Sequence, residues 1–153
     1  MRGSSWEMFS KGDTLYKEGR YEEALKCFER VIEINPRLDF AWGIKGAVLV
    51  TMGRYEEALK CYDRAIEINP RKALVWGAKG NVLVKLGRYE EALNCYDQAI
   101  EINPRDAEAW FCKGWVLLTL KCYAEAREAL EEAQRLGNSK ASQALEKLRQ
   151  AGY

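Results

Sequence analysis

Histidine is absent from this 153-residue chain. Its absence removes the side chain that most often serves as a general base near neutral pH, and a common companion of cysteine in zinc sites. Nor is there an excess of charge of one sign: 24 basic and 23 acidic side chains leave a formal net charge of +1. A nucleic-acid binder normally carries a basic excess on one face, so nucleic acid is not expected as a partner. No apolar run approaches the ~18 residues of a membrane span, because lysines and glycines interrupt each candidate. The start shows no secretory signal pattern. These features point to a soluble, cytoplasmic protein with no membrane partner. Phosphate-cradling glycine loops, G-x-S-x-G elbows and paired catalytic motifs are also missing, so no enzyme activity, cofactor or metal is expected.

Cysteine is present but in an unproductive pattern. Cys27, Cys61 and Cys95 recur at a fixed interval, with Cys112 and Cys122 outside the series, and no pair has C-x-x-C spacing. Equivalent positions in stacked helical repeats lie on the order of 10 Å apart, too far for a disulfide. Reduced, partly buried small hydrophobes fit this pattern best.

Repetition dominates what is there. G-R-Y-E-E-A-L occurs at Gly19–Leu25, Gly53–Leu59 and Gly87–Leu93, each copy 34 residues after the last, with a worn fourth copy, K-C-Y-A-E-A-R, at Lys121–Arg127. The three prolines, Pro36, Pro70 and Pro104, keep the same period. A fixed period of this length means one helical unit stacked on itself, with a surface made by the stack.

The second copy shows how one repeat folds. Asp39 precedes Phe40-Ala41-Trp42 and is expected to cap a first helix. Trp42, Lys45, Gly46 and Leu49 follow at helical spacing, and Gly53 suits a left-handed helix end. Tyr55 opens a second helix with Ala58, Leu59, Tyr62, Ala65 and Ile66 on one stripe. Asn69-Pro70 stops it. Gly12, Gly46, Gly80 and Gly114, with Ala24, Ala58, Ala92 and Ala126, leave room where the two helices cross. Trp42, Trp76 and Trp110 act as large fillers. The pairs Glu22-Glu23, Glu56-Glu57 and Glu90-Glu91 open second helices, where they complement the dipole and face water.

This set of columns resembles the tetratricopeptide repeat family over about Ser5–Lys140. Two departures stand out: Lys11, Lys45, Lys79 and Lys113 occupy a place where the family often has leucine, and Lys121 replaces the turn glycine, so a less regular turn is expected there. The resemblance implies an all-α fold, a right-handed α-solenoid of antiparallel helix-turn-helix repeats whose first helices line a concave groove. A single domain over 1–153 is expected, with repeats at about 5–38, 39–72, 73–106 and 107–140 and a capping helix at 140–150. Ser4 and Glu7 have capping-box spacing at the start of the first helix.

Function in this family usually sits on the inner face of the first helices. Reading those columns nominates Trp6, Phe40 and Leu74; Phe9, Gly43, Gly77 and Phe111; Ile44, Ala78 and Cys112; and Asp13, Ala47, Asn81 and Trp115. The family's clamp for chaperone tails needs lysines, asparagines and an arginine. Its places here hold Phe9, Asp13, Ile44, Leu74 and Ala78 in one register, and Gly43, Ala47, Ala78, Glu108 and Cys112 in the other. No cation stands in either, so that partner is excluded. What remains is an apolar trough in which two glycines share a column, although each costs roughly 1 kcal/mol in a helix. The resulting expectation is a non-enzymatic scaffold that binds an apolar or amphipathic peptide or helix of a protein partner. The alternatives are a homodimer formed through the groove or the N-terminal helix, and an engineered or consensus-like array with no evolved ligand.

Overall fold

The computed structural model describes residues 4–153, so the first three residues of the expected 1–153 domain lie outside it. Nine α-helices run in order among the described residues: α1 (Ser5–Lys17), α2 (Tyr21–Ile34), α3 (Asp39–Thr51), α4 (Tyr55–Ile68), α5 (Ala73–Lys85), α6 (Tyr89–Ile102), α7 (Ala107–Thr119), α8 (Tyr123–Arg135) and α9 (Ser139–Gln150). They form two compact halves, one ending at Arg71 and the other spanning Lys72–Tyr153. The first half holds α1–α4 and the second α5–α9. In each, a first helix packs on the second helix of its own pair.

Each tight turn follows one rule. Gly19, Gly53 and Gly87 take φ of 78°, 76° and 72°. The glycine N–H reaches back three residues and the next N–H five, as in Gly53 to Val50 (2.9 Å) and Arg54 to Leu49 (2.8 Å). This is a Schellman closure that satisfies the last carbonyls of the helix. The irregular fourth turn expected from Lys121 is not observed. Lys121 adopts φ 61°, with the same pair of bonds to Leu118 (3.0 Å) and Leu117 (2.9 Å). The packing of the pair imposes the left-handed conformation even without glycine.

The helix starts also differ from expectation. Leu38, not Asp39, is the N-cap of α3, and no side chain caps that end. Asp39 is already helical and instead accepts from the Asn69 amide at 3.2 Å. In the fourth repeat the N-cap place held by Leu38 is occupied by Asp106, which does cap: it accepts from the Ala109 N–H at 3.1 Å. Ser4 and Glu7 form the expected capping box. Asn138 caps α9 through Ala141, so the final helix begins at Ser139 rather than 140.

Close helix crossing explains the glycine column. A Cβ on Gly46 would stand 2.7 Å from the Tyr62 ring, one on Gly80 2.8 Å from Tyr96, and one on Gly114 2.7 Å from Leu130. Among the described residues the buried side chains are apolar ones, cysteines and tyrosines. Val31, Ile32 and Ala41 form a cluster in the first half, and Leu130, Ala133, Ala141 and Leu148 one in the second, where α9 covers the end of α8. Cys27, Cys61 and Cys95 are buried cysteines outside any disulfide.

Three of the four lysines that depart from the family pattern have partners. Lys45 lies 5.8 Å over Trp42, Lys79 5.8 Å over Trp76 and Lys113 5.6 Å over Trp110. Lys113 also pairs with Asp97 at 2.7 Å. The indole N–H of Trp42 and of Trp110 donates to the carbonyl of Pro36 and Pro104, each at 2.9 Å. The lysine stem covers the tryptophan while its ammonium sits over the ring.

Candidate functional site

In the first half, Phe9 is the hub of an aromatic cluster. It stacks on Trp6 (5.8 Å, 19°) and meets Phe40 (5.6 Å, 72°) and Phe28 (5.8 Å, 64°) edge-on. Trp6 remains 72% exposed. Deeper along the same face, the Tyr16 hydroxyl and Thr51 Oγ1 are 2.9 Å apart, tying α1 to α3. Asp13 pairs with Lys17 on its own helix at 2.6 Å. Gly43, Ile44 and Ala47 lie further along α3 than Phe40, with the first two half-buried and Ala47 exposed.

In the second half, Leu74, Gly77, Ala78, Asn81 and Cys112 line one cleft of about 220 Å³, with Tyr96 in its wall. Asn81, Tyr96 and Cys112 continue into a second cleft of about 440 Å³, joined by Val84, Lys85, Phe111 and Trp115. A Cβ on Gly77 would meet nothing within 4 Å, so this glycine opens the trough rather than easing a crossing. Leu74 is 78% exposed and Trp115 44%. The seven nominated residues of this half therefore converge on adjoining walls.

Tyr96 is a member of this site that the first-helix columns did not nominate, because it belongs to a second helix. It reaches through the space left by Gly80 and donates to Asn81 Oδ1 at 2.6 Å. That bond fixes the amide at the trough floor. Burial pushes the Tyr96 hydroxyl well up. Burial first, then the neighbouring Glu108 carboxylate, pushes the Cys112 thiol up to about 11. Both groups are thus neutral donors at physiological pH. A neutral thiol is a poor nucleophile, so this arrangement favours holding a ligand over reacting with one. In the sequence Tyr96 is visible only as the third-repeat counterpart of Tyr62, a residue of the apolar stripe of a second helix.

The glutamate pairs prove more structured than a solvated helix start. The second of each pair folds back on the arginine before the helix: Glu23 takes Arg20 at 2.8 and 2.6 Å, and Glu57 takes Arg54 at 2.8 and 2.7 Å. Glu91 repeats this with Arg88. The arginine hydrogen bonds lower each of these carboxyls. The groups are exposed, and such pairs contribute little to stability individually.

Three family models, each described as a tetratricopeptide repeat, match residues 6–38, 37–105 and 78–141. No curated protein matches this chain. Solved structures do. A crystal structure of MamA aligns with a TM-score of 0.88 at 18% identity, covering 95% of this chain and 81% of that one. A tetratricopeptide repeat protein from Parabacteroides merdae gives 0.86 at 21%, covering 96% of this chain and 60% of its own. The first such domain of Spaghetti (RPAP3), bound to the HSP90 peptide SRMEEVD, gives 0.70 at 23%, covering 74% and 91%. At these identities the likeness is one of fold, the α-solenoid of helix-turn-helix repeats.

Proposed function

The chain belongs to the tetratricopeptide repeat family, a family of protein-interaction modules, and from that premise we propose that it is a non-enzymatic scaffold that holds an apolar or amphipathic peptide or helix against its first helices. The observation that carries this reading is the trough between α5 and α7, where Gly77 leaves open space beside the exposed Leu74. Its walls are mostly apolar, with Asp106 and Glu108 along the lining, and fixed polar groups, Asn81 held by Tyr96 among them, supply direction. Trp6, Phe9 and Phe40 offer a second apolar surface on the first half. The RPAP3 domain carries a bound peptide, which supports peptide capture by such a fold. The clamp places for a chaperone tail hold no cation here, so a different class of sequence is the expected ligand. The buried cysteines outside any disulfide suit a reducing compartment such as the cytoplasm.

The test is to pan a displayed random peptide library against the protein and measure the affinity of the enriched peptides. Gly77→Trp fills the trough from a position with no packing neighbour. We expect it to weaken capture about tenfold or more, the scale of a lost central contact, with helical circular dichroism unchanged. Failure to enrich any peptide, or equal affinity for the variant, would overturn the reading.

A further inference from the structure

Phe111 and Trp115 stand one turn apart on α7 and belong to two clefts at once. One opens toward α5 and carries Lys85 on its rim. The other, about 530 Å³, opens toward α9 and carries Lys140 and Lys147. No Asp or Glu side chain lines either cleft. Two other lysines of this half are engaged: Lys113 pairs with Asp97 at 2.7 Å, and Lys79 lies over Trp76. Lys85, Lys140 and Lys147 are exposed and, among the described residues, have no acidic partner within 4 Å. The Lys140 ammonium sits 5.9 Å above the Phe111 ring.

An apolar floor ringed by unpaired cations is complementary to one kind of ligand. The low-dielectric wall concentrates the positive field of the three ammonium groups, and each can accept a carboxylate without first breaking an ion pair. We propose that this face binds an acidic amphipathic peptide segment, its apolar side chains on Phe111 and Trp115 and its carboxylates on Lys85, Lys140 and Lys147. The proposal rests on the scaffold reading above and adds the charge of the partner to it. A single-stranded nucleic acid would also meet cations and aromatic faces. However, the adjoining cleft is lined by Asp106 and Glu108, which would repel a continuing phosphate chain. A peptide is free to end its acidic run before that point.

The same library decides it. Enriched peptides should combine aromatic or branched apolar residues with several Asp or Glu, and their affinity should fall as salt rises. The triple variant Lys85→Glu, Lys140→Glu, Lys147→Glu changes only exposed side chains. It should weaken the enriched acidic peptide about tenfold or more, the combined size of three exposed ion pairs, with unchanged circular dichroism. Lys121→Glu, an exposed lysine lining neither cleft, should leave the affinity unchanged. Enriched peptides without an acidic excess, or an unaffected triple variant, would overturn this inference and leave the scaffold reading standing. Binding of labelled oligouridine that the triple variant loses would overturn it in favour of nucleic acid. No enriched peptide at all would overturn both.

Discussion

Glycine does opposite work at two positions that look alike in the sequence. Gly46 and Gly77 both lie inside first helices. At Gly46 an added methyl would meet Tyr62 atoms at 2.7 and 2.9 Å, and Tyr62 is only 4% exposed, so its ring has little room to retreat. Gly46→Ala should therefore cost about 1–3 kcal/mol through overpacking. At Gly77 nothing lies within 4 Å, and alanine restricts the unfolded chain while favouring the helix. Gly77→Ala should stabilise by about 0.5–1 kcal/mol. Urea unfolding of the two variants checks both signs. A stabilised Gly46→Ala would mean that the helix crossing is not what Gly46 serves, and a destabilised Gly77→Ala that the space beside Gly77 is not free.

At the scale of the element, the fourth turn is the informative one. Lys121 holds φ 61° without the freedom of glycine, a conformation that costs a side chain roughly 1–2 kcal/mol. Lys121→Gly should recover about 1 kcal/mol, less the extra freedom glycine gives the unfolded chain, and should raise the urea midpoint without altering its slope. A lower midpoint would mean that Lys121 contributes something its exposed position does not reveal. The helices themselves were legible in the sequence, because period, turn glycine and terminal proline all agree at each boundary. Caps were less legible. Asp39 falls one residue inside its helix and does not cap, whereas Asp106, at the repeat position that Leu38 holds in the second repeat, is the N-cap and does. The contacts of the trough were less legible still. The nominated residues of α5 and α7 do meet on one wall, but Tyr96 enters from α6 through the gap at Gly80. Column reading along first helices cannot see a side chain that crosses from another helix. The lysines over tryptophan were visible as departures, but their cause is a ring-face contact that no spacing encodes.

For the whole molecule, self-association competes with ligand capture. The observation in its favour is the exposed aromatic face of the first half, where Trp6 is 72% and Phe40 38% exposed and Phe9 bridges them. Area decides against it. Two aromatic side chains supply at most about 500 Å² between them, whereas a stable interface buries about 800 Å² on each partner. The other large exposed apolar residues are scattered: Ile34 follows on α2, while Leu74, Trp115 and Tyr153 belong to the second half. Capture of a peptide needs far less flat surface, because a concave wall surrounds its ligand. The protein should therefore run as a monomer by light scattering across micromolar concentrations, and Trp6→Ser should leave its mass unchanged. A mass that rises with concentration and returns to that of one chain in Trp6→Ser would assign the aromatic face to assembly. The trough of the second half, which contains neither Trp6 nor Phe40, would then remain open to a partner of a different kind.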